Sequence, residues 1–362
     1  MEKNDLHAAR IARVLAAMAQ RGLRQMLVAD PKSIWYLTGV AVEPYERLFA
    51  FCLKADGHHV LFLNRLFCTP ATPWQEVRYS DTDDAAAVVA AQLDADAPLG
   101  IDKVWPARFL LPLLARCPQL RPVLASDCVD DCRACKDAAE QALMRAASRI
   151  NDETIEKAAA YVRAGMTEKQ AAEFIDAAYK AAGCTGPSFP TIVSFGANAA
   201  DPHHEPDDTV LQPGDCVLFD MGCRRARYCS DMTRTYFCRT AEPAYAAIHD
   251  LVREANELAE SMVRPGVPLC ELDAAARAKI ADAGYGEYFS HRLGHFIGQD
   301  DHEKGDVSET SEIIARPGMI FSIEPGVYLP GRFGVRVEDL VLVTETGCER
   351  LNHVDKHWRV IG

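Results

Sequence analysis

Between Asp5 and Gly22 the apolar positions Leu6, Ile11, Val14, Leu15 and Met18 fall on one helical stripe, behind an Asp that can cap free backbone amides. Short apolar runs follow at Met26 to Ala29, Ile34 to Leu37, Leu48 to Lys54 and Val60 to Leu63. The last two flank the turn signal Asp56-Gly57 and read as a hairpin. Helical patterns at Ala85 to Leu93 and Pro106 to Leu114 enclose an apolar strand at Leu99 to Ile101. Alternation of this kind predicts an α/β domain that ends near Val129.

The pattern then lengthens. Lys136 to Val162 is rich in Ala, Glu, Leu and Arg, which favour helix, and a second helix is predicted from Met166 to Ala182 after the break at Gly165. Thr167, with Gln170 three residues on, has the form of a capping box. From Cys184 the character changes to Gly- and Pro-punctuated strands over Phe189 to Phe237. Two helices come next, at Ala244 to Val263 and Leu269 to Ala283, and strands return from Tyr288 to Thr346. The expected organisation is an α/β N-terminal domain over residues 1–133 and an α+β C-terminal domain over residues 134–362.

A length of 362 residues agrees with more than one domain, at roughly 150 residues each. Hydrophobic content of 49% permits a substantial core. The net charge of -13 argues against nucleic acid and against an anionic membrane surface, both of which need Lys- and Arg-rich faces. The opening M-E-K-N-D-L-H lacks the form of a secretion signal and no apolar run is long enough to span a bilayer, so a cytoplasmic location is expected. In that compartment the 13 cysteines are expected to be reduced. Cys128, Cys132 and Cys135 lie close together, but no second pair of zinc ligands is near them, which favours a structural role.

Five side chains in the C-terminal region bring in chemistry: Asp220, Asp231, His295, Glu324 and Glu338. Four carboxylates and one imidazole form a hard, oxygen-rich donor set, suited to two divalent cations that share carboxylates and activate water for hydrolysis. With no thiolate among the donors the set favours Mn2+, with Co2+ or Zn2+ able to substitute. Asp220 ends the run V-L-F-D and Asp231 opens D-M-T-R-T-Y-F, so a hairpin would set both carboxylates across neighbouring strands. Glu324 and Glu338 are separated by the turn signals Pro325-Gly326, Pro330-Gly331 and Gly334, which predict a second hairpin. Four buried carboxylates without cations would repel at large cost. The competing reading is four ordinary surface acids.

The order of these residues within P-G-D-C-V-L-F-D-M-G, C-S-D-M-T-R-T, G-H-F-I-G, I-E-P-G-V-Y and V-R-V-E-D resembles the pita-bread metallopeptidases, in the branch of prolidases and aminopeptidases P. The motifs span Thr191 to Glu338. A weaker likeness to the family's creatinase-type N-terminal domain, including W-Y-L-T-G at Trp35 to Gly39, covers most of the rest. The resemblance implies a pita-bread catalytic domain of two pseudo-symmetric halves around a dinuclear metal site. It also implies a homodimer in which one subunit's N-terminal domain leans over the other's active site. Tyr36 to Gly39 and the loop Val42 to Arg47 are candidates for that lid, beside a plain structural role.

The implied activity is hydrolysis of the Xaa-Pro bond in proline-containing peptides, with Glu324 taking the proton of water and passing it to the leaving nitrogen. His203, His291 and His302 match family histidines that line the cleft. The resemblance gives them the substrate and the developing oxyanion, His203 and His302 above all. His204 is the less probable of its adjacent pair, and His7, His58, His59, His249, His353 and His357 are read as structural. Arg336, two residues before Glu338, shares its strand face and is a candidate to hold a metal carboxylate or to contact substrate. Arg292, three before His295, is a candidate for a free substrate carboxylate. Thr233 is a candidate hydrogen-bond donor to the metal cluster. Phe296 stands where the family usually has a small residue, which raises the expectation of a narrowed cleft. Two-domain length and Arg292 favour a dipeptidase. The alternatives are an aminopeptidase P acting on longer peptides and a catalytically inactive peptide-binding protein.

Overall fold

A computed structural model describes residues 3–362. The chain divides into two compact units, Met1–Arg133 and Ala134–Gly362. In the first, a six-stranded sheet has the spatial order Gln75–Tyr79, Val60–Asn64, Ala50–Lys54, Gln25–Val28, Leu99–Ile101, Pro122–Leu124. Ala50–Lys54 runs antiparallel to both neighbours and the other pairings are parallel. The hairpin at Asp56-Gly57 forms as expected. The first helix, Lys3–Gln20, contains Asp5 in its opening turn, so Asp5 is not its cap.

The apolar run at Ile34 belongs to the helix Pro31–Thr38. Asp30 caps it by accepting from the amides of Lys32 and Ser33, Pro31 sits in its first turn, and Gly39 ends it at φ 74°. Tyr36 is fully buried there and its hydroxyl donates to the Cys132 carbonyl, so it packs in the core of its own unit. Cys128 and Cys132 pack into the same core, and all thirteen cysteines are free thiols.

The second unit repeats one plan twice. Helices Ala138–Tyr161 and Glu168–Ala181 precede the antiparallel strands Ile192–Phe195, Cys216–Met221 and Met232–Cys238. Helices Pro243–Met262 and Leu269–Asp282 precede the antiparallel strands Gly294–Phe296, Ile320–Ile323 and Asp339–Val343. The pseudo-symmetry that could not be read along the residues is thus plain in the topology. Capping boxes start both helices of the first half, Asp137 with Glu140 and Thr167 with Gln170.

Strand alternation separates core from site. Val217, Phe219 and Met221 pack on the first helix pair, and Phe321 and Ile323 pack with the second. The intervening residues, Asp220 and Ser322 among them, take the opposite faces, where the two sheets meet. No helix among the described residues is long and apolar enough to cross a membrane.

Candidate metal centre

The two acid pairs occupy corresponding places in the two halves. Asp220 lies at the end of the Cys216–Met221 strand, and Thr233 is its direct partner across the ladder. Asp231 precedes Thr233 by two residues and so shares its face. The connection between the strands is more than a turn, because Cys223–Arg225 and Tyr228–Cys229 form a small ladder of their own. In the second half, Ile323 pairs with Asp339, and the hairpin beyond pairs Gly326 with Arg336 in the same register. Glu324 and Glu338 therefore stand opposite each other at the interruption between the two ladders. Their amides bond outward, to the carbonyls of Leu293 at 2.8 Å and Thr233 at 3.1 Å. A pair of that type brings side chains close.

All five expected ligands line one cavity of about 760 Å³. His295 Nε2 is 3.4 Å from Glu324 Oε1 and 3.7 Å from Asp231 Oδ2. Asp231, His295 and Glu338 each present a donor atom within 4.8 Å of the others. Three buried oxygens, Asp220 Oδ1, Asp231 Oδ1 and Glu338 Oε1, accept no hydrogen bond. Buried carboxylate oxygens are ordinarily satisfied. Orphaned oxygens converging beside a neutral imidazole fit a divalent-cation site.

The electrostatics agree. Burial, with the charges of Glu338 and Asp220, holds the Asp231 carboxyl well above its usual range, and burial with Glu324 does the same to Glu338. Burial lifts Glu324 from 4.5 to about 7 and pushes His295 well down. A carboxyl whose pKa is raised by folding favours the protonated fold. The stability present below about pH 4.5 is then lost as pH rises through 7. Metal-free protein is therefore expected to melt lower at pH 8 than at pH 5.5, and added Mn2+ to raise the melting temperature more at pH 8. Thermal melts at both pH values check this, and an equal or larger Mn2+ effect at pH 5.5 would contradict it.

Arg336 is 3% exposed. It donates to Asp220 Oδ2 at 2.5 Å, Thr233 Oγ1 at 3.0 Å and the Tyr328 hydroxyl at 2.9 Å. Thr233 in turn donates to Glu338 Oε2 at 2.7 Å. These bonds serve the expected hold on a metal carboxylate, and Arg336 also lines the cavity. His291 lines the cavity as well. Its Nδ1 faces the Arg292 carbonyl at 2.7 Å, and a carbonyl can only accept, so that nitrogen carries the proton. Burial pushes His291 down to about 3, so the ring is neutral and Nε2 accepts from Tyr328 at 2.8 Å. It offers the cavity a ring face and no free donor.

His203 and His302 line the cavity, and His302 lies 3.9 Å from His295 between ring centroids. Arg292 also lines it, with Nη1 on Asp306 at 2.5 Å and Nη2 at 3.2 Å from His302 Nδ1. Phe296 does not narrow the cleft. As the strand neighbour of His295 it points the other way, into the core against Phe321. His204 is structural: with Glu168 and Asp207 it makes a second cluster, but Glu168 there already accepts from Phe195 N, Asn198, His204 and Asp207 N. That anchor holds the segment presenting His203. Tyr328 and Ser322, which donates to Glu324 at 3.2 Å, were not anticipated. Glu324 follows Ser322 by two residues, just past the end of the strand Ile320–Ile323, and that spacing was the available signal.

Comparison with known proteins supplies the family. Residues 142–345 match Metallopeptidase family M24, and residues 10–135 match the Creatinase/Prolidase N-terminal domain. An uncharacterized peptidase of Staphylococcus aureus is 35% identical, over 96% of this chain and 99% of its own length. The crystal structure of dipeptidase PepE from Mycobacterium ulcerans has a TM-score of 0.92 and 36% identity, covering 99% of each chain. Recombinant prolidase from Thermococcus sibiricus has a TM-score of 0.90 and 32% identity, covering 98% of this chain and 99% of that one. The chain belongs to the pita-bread metallopeptidases of family M24, in the branch that carries a creatinase/prolidase N-terminal domain.

Proposed function

We propose that the protein is an Xaa-Pro dipeptidase whose two divalent metal ions, Mn2+ by preference, are held by Asp220, Asp231, His295, Glu324 and Glu338. The observation that carries this reading is the convergence of two acid pairs with three orphaned oxygens on one cavity. When bound, such ions supply a lowered pKa for water and positive charge beside the scissile carbonyl. Glu324 takes the proton released by the attacking water and returns it to the proline nitrogen as that leaves. His203 and His302 donate to the oxyanion as it develops. Thr233 and Arg336 keep Glu338 and Asp220 oriented, which leaves fewer carboxylate positions to be fixed on binding.

Arg292 directs the choice of substrate. Its guanidinium lies at the cavity, and its ion partner Asp306 has a side chain 51% exposed, so the pairing exchanges readily for a substrate carboxylate. The dipeptidase and prolidase names of two similar structures favour the same substrate. Arg292→Ala is expected to raise KM for Met-Pro about tenfold or more with kcat nearly unchanged, since it removes binding shared by ground and transition states. Steady-state kinetics with Met-Pro and with an Xaa-Pro-Yaa-Zaa peptide in added Mn2+ tests the reading. Preference of the wild-type enzyme for the tetrapeptide would move the assignment to an aminopeptidase P. The net charge of -13 suits a small peptide better than nucleic acid or membrane. A cytoplasmic homodimer completes the proposal on the strength of family likeness, and sedimentation velocity checks the dimer.

A further inference from the structure

We propose that Asn256 is a positioning residue for both metal-site glutamates, supplying the main-chain donor that Pro325 lacks. The inference rests on reading Glu324 and Glu338 as metal ligands. In the common register of the two ladders, Pro325 stands opposite Val337. The Val337 amide donates to the Pro325 carbonyl at 3.4 Å. An ordinary residue at 325 would return an N–H to the Val337 carbonyl, and proline has none. That carbonyl instead accepts from Asn256 Nδ2 at 3.2 Å, and the same amide donates to the Ile323 carbonyl at 2.7 Å. Ile323 immediately precedes Glu324 and Val337 immediately precedes Glu338. One side chain, reaching from the helix Pro243–Met262, thus ties together the two backbone points from which both glutamates project.

The orientation of the amide is fixed by chemistry. Asn256 Oδ1 faces the Lys356 ammonium at 2.5 Å, which can only donate, so Nδ2 must face the carbonyls. Lys356 is held in turn by Glu260 at 2.6 Å and Asp339 at 2.8 Å, and Asn256 is fully buried. The first half carries a partial counterpart, with one carbonyl in place of two. Asn151, on the first helix of that half, donates to the Met221 carbonyl beside Asp220 at 2.8 Å, while its Oδ1 accepts from the Tyr179 hydroxyl at 2.5 Å. Two asparagines at matching places in a repeated topology, each bonded to backbone next to a site carboxylate, point to ligand placement.

The test is Mn2+ affinity, measured by equilibrium dialysis on the full chain, for wild type, Asn256→Asp and Asn256→Asp/Pro325→Ala. Asn256→Asp keeps the shape and the Lys356 partner but loses the donor. Its Mn2+ dissociation constant is expected to rise roughly 10- to 100-fold, the effect typical of residues that orient metal ligands. Pro325→Ala restores an N–H opposite Val337 and is expected to recover part of that loss. Wild-type affinity in Asn256→Asp, whatever its melting temperature, would overturn the proposal. So would a loss that Pro325→Ala leaves wholly unrelieved. Should Asn256→Asp not fold, Lys356→Met, which frees the amide to turn, carries the same expectation and the same refutation. Wild-type protein that binds no Mn2+ at all would sink the metal reading itself, a result distinct from failure of the asparagine's role.

Discussion

Glu324→Gln is expected to lower kcat for Met-Pro on the order of 1,000-fold at saturating Mn2+, with KM changed by no more than about threefold. The substitution keeps the shape of the side chain and an oxygen toward the site, but an amide does not take up a proton near neutral pH. Glu324 stands where that loss matters: its Oε1 is 3.4 Å from His295 Nε2, it borders the cavity, and Ser322 steadies it from two residues back. Metal content measured on the same preparation separates the two roles of the residue. A variant that binds Mn2+ normally yet turns over within tenfold of wild type would remove Glu324 from proton transfer.

Arg336→Met carries the largest expected cost in stability. The guanidinium is the buried cation bonded directly to Asp220, and it also reaches Thr233, which holds Glu338. Removing one partner of a buried pair leaves an uncompensated charge, at about 3–5 kcal/mol. Without metal, the loss falls on a site where burial already raises the Asp231 and Glu338 carboxyls. Denaturant unfolding of the metal-free variant is expected to show that decrease, and Mn2+ to restore part of it by supplying positive charge to the same carboxylates. A change below about 1 kcal/mol would mean that Arg336 is a bystander to Asp220.

The parts of this molecule that local rules govern were legible from its residues. Thr167 and Gln170 form the capping box their spacing predicts, and Asp56-Gly57 turns a hairpin. The apolar run Ile34 to Leu37 is too short for its period to tell helix from strand. Asp30, Pro31 and Gly39 around it decide for helix. At the site, the five candidate ligands converge because each pair flanks a strand junction. The hold of Arg336 on a metal carboxylate was legible from its strand face, whereas the bonds of Arg336 and His291 to Tyr328 were not, since only tertiary structure brings that partner in. Phe296 shows the opposite case: strand alternation alone, applied to its neighbour His295, places it in the core. Asn256 and Lys356 lie far from the motifs in sequence and carried no signal of their own.

The most direct test of the account is the number of Mn2+ ions bound per chain in wild type and in Asp231→Ala, read alongside Met-Pro hydrolysis before and after chelation. The account predicts two ions per wild-type chain, fewer in the variant, and hydrolysis that chelation abolishes and Mn2+ restores. Metal-free protein that cleaves Met-Pro at the full rate, or wild type and variant that bind the same number of ions, would contradict it.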